Sequence, residues 1–256
     1  MLNGRTVPYL TLAREAYDLR GAERLRYKVF VEELGGDGAD VDHDARLERD
    51  RFDPFFDHLV LIDPQIDPST SEHVIGAYRV LRDDQMQRAG GYYSETEYDL
   101  EPLKNSGRRL LELGRSCVDP NHRGGAAVYR LWQGLAAYVT EHDIEVLFGV
   151  ASFLGTRLEE HAMALSHLHA DHLATPDLRP VSRNYQTMSL VPPDQIERAR
   201  AMRAVPALIK AYLRLGGMVG DGAFIDEAFN TVDVCLVMDT ARLSERHRQI
   251  YMQSVR

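Results

Sequence analysis

The stretch LLELGRSCVDPNHRGGAAVYRLW, Leu110 to Trp132, gathers a carboxylate (Glu112), guanidinium groups (Arg115, Arg123), a thiol (Cys117) and a glycine-rich turn. Glu112 and Arg115 lie in an apolar run that stops at Asp119-Pro120. Asn121-His122-Arg123-Gly124-Gly125-Ala126 and an amphipathic stretch follow. Glycines just before a helix start let backbone N–H groups converge on an anion, and the helix dipole adds positive potential there. The same residues also suit an ordinary strand-to-helix turn, so the segment alone leaves both readings open. Cys117 has no base at a readable spacing, and a small buried thiol is its expected state. His161, His167, His169 and His172 show no i, i+4 pair and no cysteine or carboxylate cluster to complete them, so no metal site is expected.

These residues need a scaffold. Tyr9 to Ala13 reads as a strand, and Asp18 to Leu34 as a helix stopped by Gly35-Gly36. An acidic loop runs from Asp37 to Asp53. His58 to Asp63 and Val74 to Leu81 read as a hairpin with a long polar loop. Leu110 to Val118 is a strand, Gly125 to His142 a helix, Glu145 to Phe153 a buried strand and Leu158 to His169 a helix. Thr187 to Val191 is a candidate strand. Helical segments start at Pro192-Pro193 and again at Pro206; Asp233 to Met238 is the last strand, and Ser244 to Ser254 a terminal helix. The alternation predicts an α/β fold with a mixed sheet covered on both faces.

The chain has 256 residues, enough for one large domain or two small ones, and a net charge of −9 that disfavours a general nucleic-acid binder. Its 2 cysteines fit a reducing compartment, and no apolar run reaches the roughly 18 residues of a membrane span. With no signal-peptide pattern at the start, a cytoplasmic location is expected.

Strand, Arg-Gly-Gly turn, helix and second strand together resemble the acyl-donor site of the GNAT N-acetyltransferase superfamily, with Gly124 and Ala126 at the fourth and sixth signature positions and Asn121 at the first. Arg26-x-x-x-Phe30, Glu48-x-Asp50-x-Phe52-Asp53, Tyr78-Arg79-Val80-Leu81 and Glu112-Leu113-Gly114-Arg115 occur in the order seen in acyl-homoserine-lactone synthases. The blocks DRFDPFFDHLVLID, ELGRSCVDPNHRGG, GVASF and AYLRLGGMVGDGAFIDEAFNTVDV are similar to the bacterial L-ornithine Nα-acyltransferase family of ornithine-lipid synthesis. The resemblance implies a GNAT-like, mostly antiparallel central sheet flanked by helices. It also implies an acyltransferase core over residues 1–192 and a C-terminal extension over 193–256, together one compact domain.

The implied reaction is attack of an amino-acid α-amine on an acyl thioester, which needs a deprotonated amine and a polarised carbonyl. Glu112 is the first candidate proton acceptor, with Asp50, Asp53 and His58 as alternatives and Arg115 beside them. A structural pairing of Glu112 and Arg115 with each other, or with Arg79 and Asp53, is an equally open reading. Arg26, Phe30, Glu48, Asp50 and Arg79 are implied to bind the amine substrate. Cys117, Val118, Arg123, Gly124, Gly125 and Ala126 are implied to hold the donor's phosphopantetheine. No cofactor is expected beyond that co-substrate, an acyl carrier protein thioester rather than acyl-CoA. Glutamine, or S-adenosylmethionine as in lactone synthesis, is a rival amine, and a non-catalytic carrier-binding module is a rival of another class.

Two further segments bear on partners. Gln195 to Gly217 carries Arg198, Arg200, Arg203, Lys210 and Arg214 against Glu197 among apolar residues. This suits an acidic carrier protein or anionic membrane headgroups, and equally an amphipathic helix packed on the core. Gly220 to Val234 holds Asp221 and Asp226, candidates for the side-chain ammonium if ornithine is the substrate. Gly, Asp and Asn also favour turns there.

Overall fold

The computed structural model describes residues 7–123 and 126–243. Along the chain run β1 (Tyr9–Leu12), α1 (Ala16–Arg26), β2 (Asp57–Ile62), β3 (Val74–Arg82), α2 (Asp83–Ala89), β4 (Tyr98–Asp99), α3 (Glu101–Lys104) and β5 (Leu110–Val118). Then come α4 (Ala126–Glu141), β6 (Val146–Leu154), α5 (Ala162–His172), β7 (Val181–Ser182), α6 (Arg198–Ala204), α7 (Ala207–Arg214), β8 (Met218–Val219), β9 (Phe224–Asp226) and β10 (Thr231–Asp239). The fold is mixed α/β with a mostly antiparallel sheet and flanking helices, as expected. The chain groups into two compact units, and strand β5 contributes to both.

The first unit holds β1, β2, β3, the segment from Leu113 of β5, α1, α2 and α4. The predicted hairpin forms: β2 and β3 pair antiparallel, Asp57 opposite Val80 and Ile62 opposite Val74. Strand alternation sends successive β5 residues to opposite faces. Cys117 packs with Ala22, Leu25 and Val29 on the α1 side, while Val118 packs with Ala127 and Leu131 of α4. Helix α1 buries Asp18, Gly21, Ala22, Leu25 and Arg26, one stripe at helical spacing. Gly21 is required by proximity: a Cβ there would lie 2.6 Å from Val74 Cγ2. The helix then widens into a π-helical turn over Tyr27–Glu33, with the Leu34 N–H donating to the Val29 carbonyl. It ends at Gly35, whose φ of 77° is the left-handed geometry of a helix stop.

The second unit comprises Gly90–Glu112 and the described part of Ile144–Arg248. Here the start of β5 pairs parallel with β6, Leu110 opposite Val146 and Glu112 opposite Phe148. Strand β6 pairs antiparallel with β10 along its length, from Val146–Asp239 to Leu154–Thr231. Strands β8 and β9 both pair with β10, and β4 with β7.

The expected strand over Thr187 to Val191 does not form. The Ser166 side chain takes over its backbone groups: Oγ donates to the Met188 carbonyl and accepts from the Leu190 and Val191 N–H groups. A buried hydroxyl thus replaces the partner strand that the apolar pattern suggested. The helix expected from Leu158 begins with a 3₁₀ turn and becomes α-helical at Ala162. The terminal helix predicted over Ser244 to Ser254 lies outside the described residues.

Candidate active site

In the first unit, Arg26, Arg79 and Arg115 interlock with Glu48, Asp50 and Asp53. Helix α1 presents Arg26 on its buried stripe, β3 presents Arg79, and the acidic loop folds back to meet them. Arg26 grips Asp53 with two parallel bonds, Nη1 to Oδ1 at 2.7 Å and Nη2 to Oδ2 at 2.6 Å. Its Nε lies 2.6 Å from Glu48 Oε2, and its Nη2 donates to the Glu48 carbonyl at 2.6 Å. Arg79 forks onto Asp50 at 2.9 and 2.7 Å and reaches Asp53 Oδ1 at 2.8 Å. Arg115 donates from Nε to Glu48 Oε1 at 3.0 Å. Its φ of 51° departs from the extended backbone around it, and Glu48 and Asp50 hold the side chain that this turn re-aims.

Burial makes the network electrostatically demanding: Arg26 and Arg79 are each 1% exposed and Asp53 4%. Burial alone would raise the Asp53 carboxyl, but Arg26, then Arg79, hold it far below the usual carboxylate range. Glu48 and Asp50 are likewise held down against burial, chiefly by Arg26 and by Arg79 respectively. His58 Nε2 lies 3.1 Å from the Asp53 carbonyl, and burial together with the Arg26 charge pulls its pKa down to about 4. The imidazole is therefore neutral at pH 7. Phe56 underlies Arg79, whose guanidinium sits 4.4 Å from the ring centre.

Among the implied donor residues, Cys117 and Val118 end β5 and Arg123 lies in the turn beyond it. Cys117 is buried, and burial pushes its thiol up to about 12, so it stays protonated at neutral pH. Arg123 bonds the Val118 carbonyl through Nε and pairs both terminal nitrogens with Glu33 at 2.6 Å. Lys28, on the π-helical turn, meets Asp119 Oδ2 at 2.6 Å. Ala126 opens α4; Gly124 and Gly125 lie outside the described residues. Phe30 packs on the α1 core beside Ala22 and Leu25.

In the second unit, Glu112 is buried on β5, with Oε2 accepting from the Tyr93 N–H at 2.9 Å and Oε1 from the Ser94 N–H at 2.6 Å. Its carboxylate thereby fixes the start of the 3₁₀ turn Tyr93–Thr96. Asp221 accepts from Tyr185 Oη at 3.0 Å and lies 3.7 Å from His169 Nε2. Asp226 Oδ1 accepts from the Ala228 and Phe229 N–H groups. Asp226, Asp233 and Glu97 form a group with ligand oxygens all within 4.8 Å of one another. The first unit therefore brings Arg26, Glu48, Asp50, Asp53, His58, Arg79 and Arg115 into one network, while Asp221 and Asp226 serve separate local contacts. Among the histidines, His167 Nδ1 lies 2.9 Å from Asp171, and the His161 ring packs on Phe153 at a tilt of 43°.

The model of the acetyltransferase (GNAT) domain family matches residues 25–133. The L-ornithine N(alpha)-acyltransferase of Rhodobacter capsulatus is 55% identical over 246 residues, 96% of this chain and 95% of the relative. The chain belongs to the L-ornithine Nα-acyltransferase family. Its relative from Brucella abortus, of the same name, is 42% identical over 94% of this chain and 87% of its own. The N-acyl amino acid synthase FeeM from uncultured soil microbes shares the fold at a TM-score of 0.55, with 11% identity over 96% of this chain and 98% of that one. Membership of the L-ornithine Nα-acyltransferase family makes the protein an N-acyltransferase.

Two features of this L-ornithine Nα-acyltransferase family member escaped sequence reasoning. The anchoring of Tyr93 and Ser94 by Glu112 joins residues distant in sequence through backbone N–H groups, which side-chain patterns do not reveal. Glu97 is one acid of the stretch Glu95-Thr96-Glu97-Tyr98-Asp99 and meets Asp226 and Asp233 only through folding.

Proposed function

We propose that the protein moves a 3-hydroxyacyl chain from an acyl carrier protein thioester to the α-amine of ornithine, forming lyso-ornithine lipid. The observation that carries this reading is the 55% identity to a named ornithine acyltransferase over nearly the full length of both chains. The amine nitrogen attacks the thioester carbonyl, the C–N bond forms, the C–S bond breaks, and the thiol leaves with a proton from the amine. Arg26, Arg79 and Arg115 already face carboxylates, which suits the network to positioning the acidic loop. The buried, protonated thiol of Cys117 favours direct attack without an acyl-enzyme. Arg123, Gly124, Gly125 and Ala126 remain the proposed contacts for the donor's phosphopantetheine.

The basic segment after Pro193 is proposed to meet the acidic carrier protein or the anionic face of a membrane, consistent with a cytoplasmic, peripheral location. Arg198 there pairs with Asp171 and Arg200 with Glu197, which partly offsets its charge. No helix among the described residues is long and apolar enough to cross a membrane. The test is incubation of the purified protein with 3-hydroxyacyl carrier protein and single amino acids, following free thiol and product mass. Ornithine-dependent thiol release with an acyl-ornithine mass is expected. Release with glutamine but not ornithine would move the substrate assignment, and equal rates with acyl-CoA would move the donor.

A further inference from the structure

We propose that Glu97, Asp226, Asp233 and Thr231 form the subsite that receives the side-chain ammonium of the amino-acid substrate; the proposal rests on the ornithine reading above. Two observations on different groups support it. The first is the carboxylate group itself: one oxygen each from Glu97, Asp226 and Asp233 lies within 4.8 Å of the others, with Glu97 and Asp233 buried. Carboxylates this close repel one another unless a proton or a cation lies among them.

The second is Thr231. It is 7% exposed, and its Oγ1 is shielded from solvent with no hydrogen-bond partner. Strand register fixes its place: Thr231 lies directly opposite Asp226 on β9, and Asp233 follows it by two residues on β10. Paired residues and residues two apart share a sheet face, so the Thr231 side chain stands on the face that carries both acids. A buried hydroxyl without a partner is destabilising, and a bound donor would relieve that cost.

An alkylammonium supplies three N–H donors and needs acceptors only. When each bond is about 2.8 Å and the donors are tetrahedral, the acceptor oxygens lie roughly 4.6 Å apart, a separation that three oxygens within 4.8 Å of one another can accommodate. Asp226 has one oxygen engaged by its own turn, which holds the carboxylate in place. Asp221, the neighbouring candidate, is instead committed to Tyr185 and His169.

The experiment compares ornithine with 2-aminopentanoic acid, which has the same carbon chain without the ammonium. In the wild type, ornithine is expected to be preferred and to raise the melting temperature, while 2-aminopentanoic acid does neither. Asp226→Asn should raise KM for ornithine about tenfold or more, leave kcat within about threefold and erase the preference. Thr231→Val, nearly isosteric, should weaken ornithine binding less and in the same direction. A preference that survives both Asp226→Asn and Thr231→Val in folded proteins would overturn the assignment while leaving the ornithine reading standing. Wild-type protein that acylates 2-aminopentanoic acid as well as ornithine would remove the ornithine reading and this subsite with it. A melting shift with Mg²⁺ or Ca²⁺ that is lost in Asp226→Asn, without any shift from ornithine, would make the group a metal site and overturn the ammonium assignment.

Discussion

Arg26 and Asp53 face each other fork to fork inside the first unit, 1% and 4% exposed, with both N–H···O bonds under 2.8 Å. Neither partner tolerates loss of the other, because a lone buried charge has no solvent to replace it. Arg26→Met or Asp53→Ala should therefore lower stability by about 3–5 kcal/mol. Urea unfolding of each single variant and of the double checks this, and the double should cost less than the sum. Additive losses would show that the pair does not act as a unit.

The pH dependence follows from the same network. Asp53 has a folded pKa far below its unfolded one, so its contribution is present at neutral pH and is lost as pH falls through the acid range. His58 adds a second loss at higher pH. With a folded pKa of about 4 against an unfolded value near 6.5, it favours the unfolded chain as pH drops from 6.5 towards 4. That amounts to about 3 kcal/mol over the window. Urea midpoints measured from pH 7 to pH 4 should fall steeply in the wild type and less steeply in His58→Gln.

Glu112→Gln separates anchoring from proton transfer. The amide replaces one carboxylate oxygen with a donor facing a backbone N–H, so stability should drop by about 1–3 kcal/mol. A loss of kcat larger than a hundredfold at an unchanged melting temperature would instead assign Glu112 to the proton transfer step.

Cys117 should be inert. With its thiol at about 12 and buried among Ala22, Leu25 and Val29, it should resist iodoacetamide in the folded protein at pH 8. Intact mass after incubation with acyl carrier protein thioester alone should show no acyl adduct, and Cys117→Ala should keep activity.

Gly21→Ala tests how closely α1 approaches β3. Alanine is favoured over glycine in helices by about 1 kcal/mol. The added Cβ would meet the branched Val74 side chain at 2.6 Å, and overpacking costs about 1–3 kcal/mol. A net loss of stability is expected in thermal unfolding, and a gain would show that α1 can shift away from the sheet.

Much of this architecture is local information. The hairpin of β2 and β3, the stripe of α1 with its glycine stop, and the strand–turn–helix from Leu110 follow from periodicity and turn chemistry, which act over a few residues. Four ordered motif blocks carried the family resemblance for the same reason. The failed strand at Thr187 to Val191 marks the limit, because its apolar pattern could not reveal that Ser166 would claim its backbone. The roles of the acids were equally hidden. Sequence placed Glu48, Asp50 and Asp53 in one loop and Arg26, Arg79 and Arg115 on distant elements, but their pairing required the loop to fold back onto α1 and β3. Asp221 and Asp226 looked interchangeable along the chain. Strand register then put Asp226 opposite Thr231 and beside Glu97 and Asp233, while Asp221 turned to Tyr185. Residue type sets which charges a chain has, whereas burial and distance set what those charges do, and both are properties of the folded chain alone.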